Sequence, residues 1–122
     1  MKTRTLLAAA VALFASMIVG YAADVAGKWT AEFDTPIGRL NYTYEFQVKD
    51  TTLTGKATWQ QGETEITEGK IEGDQIFFVE NINFEGQPLR IEYKGKVSGD
   101  EIQMTRQVGD FATEEIVAKR VK

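Results

Sequence analysis

From Gly27 onward, apolar and polar residues alternate one for one along most of the chain. Leu40, Tyr42, Tyr44, Phe46 and Val48 fall on one side of a stretch whose other side is Asn41, Thr43, Glu45 and Gln47. Trp29, Ala31 and Phe33 alternate in the same way with Lys28, Thr30 and Glu32, and Leu89, Ile91, Tyr93 and Val97 with Arg90, Glu92, Lys94 and Lys96. A period of two is the mark of a strand with one buried face. No stretch after Ala23 keeps the period of about 3.6 residues that an amphipathic helix requires.

Turn-forming residues punctuate this pattern at nearly even spacing: Thr35-Pro36-Ile37-Gly38, Lys49-Asp50-Thr51, Gln61-Gly62-Glu63, Gly73-Asp74, Glu85-Gly86-Gln87-Pro88, Ser98-Gly99-Asp100 and Gly109-Asp110. These seven turns leave eight strands, expected at residues 28–34, 38–49, 52–60, 63–72, 75–83, 87–97, 101–108 and 111–121. Connections so short join only antiparallel neighbours. A weak internal repeat agrees: Gly69 to Ile76 matches Gly95 to Ile102, with a looser copy from Val48 to Leu53. Each copy is a strand end, a turn and the start of the next strand.

Eight antiparallel strands with one apolar face must hide that face. Closing into a barrel does so and removes the exposed edges. A two-sheet sandwich needs longer crossovers than any found here. The expected fold is therefore all-β, an eight-stranded antiparallel up-and-down barrel.

The residues ahead of the strands read differently. Lys2 and Arg4 precede an apolar run from Leu6 to Val19, and Gly20-Tyr21-Ala22 places small residues at the −3 and −1 positions of a cleavage site after Ala22. Residues 1–22 are expected to be a signal peptide and residues 23–122 a single barrel domain, periplasmic or secreted. The run is shorter than the roughly 20 residues of a membrane span. Two of the 14 basic residues and none of the 18 acidic ones lie in the leader, so the barrel carries a formal charge of −6. That balance argues against nucleic acid and against anionic membrane surfaces.

With no cysteine anywhere, the domain is held by its core and its ladder alone. With no histidine either, Ser-His and Cys-His nucleophiles and imidazole metal sites are excluded. The one serine after the leader, Ser98, sits in a turn. Glu63, Glu65, Glu68, Glu72 and Asp74 lack the spacing of a calcium loop and read as a solvated strand face, as does Glu114-Glu115. No enzyme, metal or cofactor is expected.

Gly27-Lys28-Trp29 on the first strand, together with Arg120 at the end of the last, resembles the calycin superfamily of lipocalins, fatty-acid-binding proteins and avidins. There the first-strand Trp plugs one barrel end and a late Arg packs across it, a cation–π contact. The resemblance thus implies that Trp29 and Arg120 close the barrel. Leu53-Thr54-Gly55-Lys56 looks like the second hairpin of avidins. Ala31, Phe33 and Ala57 replace the polar groups of avidin-like sites, so biotin is not the expected ligand. The spacing is also similar to small exported bacterial lipocalin-like domains of unassigned function, some found beside sugar-processing enzymes.

If Trp29 and Arg120 close one end, the loops at 34–38, 60–63, 83–87 and 109–111 surround the open mouth. Strand parity then lines that half with Phe33, Leu40, Tyr42, Trp59 and Glu80, and with Ile82, Leu89, Ile91, Arg106 and Val108. Glu80 shares the parity of Ile76, Phe78 and Ile82, and Arg106 that of Ile102, Met104 and Val108. Two opposite charges inside a barrel must be paired, hydrated or engaged by a ligand. One reading is a structural ion pair near the rim, or a bulge that turns one charge outward. The other is an aromatic cup of Phe33, Tyr42 and Trp59, with Arg106 as anion anchor and Glu80 as the partner that orients Arg106. Such a cup suits a small organic acid, a sugar stacked on Trp59 or a small hydrophobic molecule. The alternative function is a solid structural or protein-interaction module, accessory to secreted sugar-processing enzymes. The polar outward residues favour a monomer.

Overall fold

The computed structural model describes residues 24–122; the expected signal peptide lies outside them. All regular structure in the described residues is β. The strands are β1 (Gly27–Thr35), β2 (Gly38–Lys49), β3 (Thr52–Trp59), β4 (Gly62–Glu72), β5 (Gln75–Phe84), β6 (Gln87–Ser98), β7 (Glu101–Val108) and β8 (Ala112–Arg120). Each pairs antiparallel with its neighbour in sequence, and β8 returns to β1, so the sheet closes as an up-and-down barrel. The expected strands agree with these to within a residue or two at each end.

The three copies of the sequence repeat are three equivalent hairpins at one end of the barrel. Asp50, Gly73 and Gly99 open the two-residue loops of β2–β3, β4–β5 and β6–β7 with φ of 57°, 61° and 61°. A positive φ at the first loop position matches the right-handed twist of the strands it joins.

One register shift shapes the wall. Ile66 and Ile71 on β4 are both buried although they are five positions apart and so of opposite parity. The pairing with β3 and β5 slips between them, where Glu68 takes φ 54°. This β-bulge resets which side chains face inward. Glu68 points out and receives two hydrogen bonds from the Arg90 guanidinium of β6, at 2.6 and 3.1 Å. The pair crosses the intervening β5 on its outer face, where Val79 is fully buried although it has outward parity.

The interior fills from the closed end upward. Trp29 is wholly buried and its indole N–H donates to the Val25 carbonyl at 2.9 Å. The Arg120 guanidinium lies 4.3 Å from the Trp29 ring centroid. It also donates to the carbonyls of Asp24 and Ala26 and to Asp100 Oδ1. A neighbouring layer packs Tyr44, Phe46, Phe78 and Tyr93 ring against ring, with Phe78 and Tyr93 stacked at 4.3 Å between centroids. All four rings are buried, and an eight-stranded barrel is just wide enough for such side chains to fill.

The closing seam is short. Among the described residues, β1 and β8 pair at Trp29–Arg120 and Thr30–Lys119, both at the closed end. Toward the mouth the two strands separate, and a shallow outer groove runs between them past Ala31, Phe33 and Ile116.

Candidate functional site

Above the aromatic layer lies a polar layer, and above that a cavity. Glu80 on β5 is fully buried and Arg106 on β7 is 4% exposed, both facing inward as their parity requires. They do not pair directly. Tyr93 Oη accepts a hydrogen bond from Arg106 Nε at 2.9 Å and donates to Glu80 Oε1 at 2.8 Å. Tyr42 Oη does the same between Arg106 Nη2 at 3.2 Å and Glu80 Oε2 at 3.0 Å. Two phenols thus close a ring between cation and anion. Thr64 Oγ1 donates to Glu80 Oε2 at 2.9 Å, and the Tyr44 hydroxyl donates to Tyr93 Oη at 3.1 Å. Glu80 therefore accepts three hydrogen bonds, which offset the loss of its hydration.

The direct partner of Arg106 is Glu114, the residue opposite it on β8. Glu114 Oε1 accepts from Arg106 Nη1 at 2.6 Å, and its side chain is 12% exposed. The expectation that Glu114 belongs to a solvated face is corrected: it faces inward, whereas Glu115 faces out and accepts from Thr105. The acidic run on β4 is as expected, with Glu63, Glu65 and Glu68 exposed.

Burial shapes the ionisation of this layer. It raises the Tyr42 phenol above its ordinary value of 10, and the Glu80 carboxylate raises it further. Burial likewise drives Tyr44 and Tyr93 well above that value. At Arg106 burial opposes the charge, but the oxygens of Tyr93, Tyr42 and Glu114 outweigh it and hold the guanidinium protonated. Its Cζ also lies 5.2 Å from the Phe33 ring centroid and 5.3 Å from that of Tyr42.

The cavity opens at the mouth and has a volume of about 230 Å³. Its walls are Leu40, Tyr42, Trp59, Ile82, Leu89, Ile91 and Val108, and its floor is Arg106 with Glu114. Tyr42 and Trp59 stand side by side, their planes 3° apart and centroids 5.9 Å apart. A cavity of about 150 Å³ lined by apolar side chains holds a benzene ring; this one has room for one ring and a short chain. Ile37 and Phe111 of the turns and Phe84 at the end of β5 rim it, Phe111 being 82% exposed.

Of the residues singled out in the sequence, Tyr42, Trp59 and Arg106 line the cavity. Phe33 packs beside the guanidinium and Glu80 lies beneath it; neither is among the lining residues. Trp29 and Arg120 meet at the opposite end. Sequence reasoning missed Glu114, Thr64 and the role of the Tyr93 hydroxyl. The signal for Glu114 was present, because it shares the parity of Ile116 and Ala118.

Comparison of the chain with protein-family models, with curated proteins and with solved structures found no match.

Proposed function

We propose that the protein is a small exported barrel of calycin-like type that holds a small, largely apolar ligand at its open end and catalyses no reaction on it. One observation carries this reading: from Trp29 to the Tyr93 layer the inward side chains are buried against one another, yet the cavity above them is open and apolar-walled. A domain that needed only stability would gain by covering those apolar walls, since apolar surface left open to water forgoes the gain of burial. The lack of histidine and cysteine supports a non-catalytic role. Export rests on the leader pattern of residues 1–22. A monomer rests on the polar outer face, where Lys28, Glu32, Asn41 and Gln47 are exposed.

The test is a thermal-shift screen of the purified protein against small aromatic and aliphatic molecules, with Leu89→Trp alongside. A ligand at 100 times its dissociation constant adds about 2.7 kcal/mol. Hits that vanish in Leu89→Trp, while that variant stays folded, locate the site in the cavity. A flat screen overturns the reading.

The exposed rim of Ile37, Phe84 and Phe111 favours a second reading, a module that docks on another protein through its mouth. Phe111→Ser separates the two, because it removes the exposed rim while leaving the floor and most of the wall intact.

A further inference from the structure

The charge of the ligand can be read from the floor of the cavity, given that the mouth is a binding site. The buried polar layer holds one guanidinium, Arg106, and two carboxylates, Glu80 and Glu114. Counted formally, one cation and two anions leave the layer at −1. The two anions are not equally occupied. Glu80 is the lower one and takes three hydrogen bonds, from Tyr42, Tyr93 and Thr64. Glu114 reaches the cavity itself, and among the described residues its Oε2 accepts no hydrogen bond, while Oε1 is engaged by Arg106.

Arg106 is poorly placed to anchor an anion. Three of its five N–H groups are already committed, to Tyr93, to Tyr42 and to Glu114. A carboxylate seated against it would meet Glu114 within a few ångströms and Glu80 just beyond, so attraction to one cation would be set against repulsion from two anions. A cation at the same level meets the reverse balance.

The surroundings agree. Tyr42 and Trp59 present aromatic surface to the cavity, and such faces attract cations. On the turns around the mouth, Glu85 and Asp110 are exposed, and Arg39 nearby is outnumbered by its own partners, Asp34 of β1 at 3.0 Å and Glu32 at 3.4 Å. The approach to the cavity is therefore acidic, and a cleft lined by one sign of charge gathers ligands of the other.

We propose that the mouth selects a small amine: an ammonium group against Glu114 Oε2, with an aryl or short alkyl body between Trp59, Leu89 and Val108. Its binding brings the polar layer to charge neutrality. This proposal rests on the reading of the mouth as a ligand site and assigns the chemical class of the ligand.

The experiment uses three probes with one body and different heads: 2-phenylethylamine, 2-phenylethanol and 3-phenylpropionate. Each is titrated into the purified protein, with quenching of Trp59 fluorescence read against a Trp59→Phe control that reports Trp29 alone. The expected order is amine tightest, by at least tenfold over the alcohol, with the acid weakest. Glu114→Gln should bring amine and alcohol together. The wild-type series is decisive by itself, so the proposal remains testable if that variant does not fold. If the alcohol binds as tightly as the amine, or the acid binds best, the charge assignment is overturned while the mouth remains a site. If none of the three perturbs Trp59, the mouth reading falls, and this proposal with it.

Discussion

Tyr93 joins Glu80 to Arg106: its hydroxyl accepts from the guanidinium at 2.9 Å and donates to the carboxylate at 2.8 Å. The same oxygen accepts from Tyr44 at 3.1 Å, so one donor and two acceptor positions are all in use. The two hydroxyls differ sharply in what depends on them. Tyr93→Phe strands Arg106 Nε, Glu80 Oε1 and the Tyr44 hydroxyl in a dry interior, and should cost about 3 kcal/mol. Tyr44→Phe removes a donor from an oxygen that keeps its two charged partners, and should cost about 1 kcal/mol. Urea unfolding of both variants checks this. Equal losses would mean that the hydroxyl of Tyr93 does not bridge the charges.

The buried charges are predicted to act as a unit. Arg106→Met leaves Glu80 and Glu114 uncompensated, and Glu80→Leu leaves two phenols and Thr64 without their acceptor; each should cost about 3–5 kcal/mol. The double variant should cost clearly less than the two together, because the second change removes a group the first left stranded. A double-mutant cycle by denaturant unfolding measures the coupling. Additive losses would show that the two charges are independent despite sharing Tyr42 and Tyr93.

Gly69 and Gly95 occupy equivalent places in the sequence repeat, yet their environments differ. A Cβ at Gly69 would overlap the backbone carbonyl of Leu53 on the adjacent strand, which cannot move without parting β3 from β4 at the bulge. A Cβ at Gly95 would meet side chains, the nearest being Met104 Cγ at 2.8 Å, and a flexible thioether can shift. Gly69→Ala should therefore cost more than about 2 kcal/mol, and Gly95→Ala about 1 kcal/mol. Thermal unfolding ranks them, and the reverse order would contradict the close approach at the bulge.

At the closed end, Arg120 combines a guanidinium over Trp29 with bonds to two carbonyls of the residues just ahead of β1 and to Asp100. Arg120→Lys retains the charge but not the planar fork, and should destabilise by about 1–2 kcal/mol. Because among the described residues β1 and β8 pair at two positions, with one more bond from the Val121 N–H to the Lys28 carbonyl, all close to Arg120, the loss should fall on the seam. Amide exchange of Thr30 and Lys119 should accelerate before that of the other ladders. A uniform acceleration would show that Arg120 does not hold the seam.

The closed end was legible only through the resemblance carried by Trp29 and Arg120, but the strands were legible for a simple reason. A period of two fixes which residues share a face, and turns two to three residues long leave little freedom in pairing. The rim and floor of the cavity were only partly legible. Parity placed Tyr42, Trp59, Glu80 and Arg106 inside, but it says nothing about which inward groups touch across the barrel. Tyr93 and Glu80 are on adjacent strands, while Tyr42 reaches Glu80 from the far side, a contact that depends on barrel diameter and tilt. Glu114 was misjudged because its neighbour Glu115 made the pair look like a polar surface. The bulge at Glu68 went unread, although Ile66 and Ile71 have opposite parity, and so did its use in bringing Glu68 to Arg90.

The three barrel tyrosines also set a limit on alkaline stability. Burial raises Tyr42 above its ordinary value of 10, and holds Tyr44 and Tyr93 well above it. In the unfolded chain the same phenols lose their protons near pH 10. Above that pH the folded state binds more protons than the unfolded state, so stability must fall as pH rises. The contribution is fully present below the unfolded value and is lost progressively toward the folded values. Each phenol that stays protonated only in the fold steepens the loss by about 1.4 kcal/mol per pH unit. Denaturant unfolding from pH 8 upward should therefore show a plateau followed by a steep decline beginning near pH 10. Tyrosinate absorbance from the barrel should rise together with unfolding and not before it. Tyr44→Phe should soften the decline, because it removes one of the three titrating groups. Tyrosinate appearing in a still-folded barrel would mean that the polar layer is open to water, and the ring joining Tyr42, Tyr93, Glu80 and Arg106 would no longer describe it.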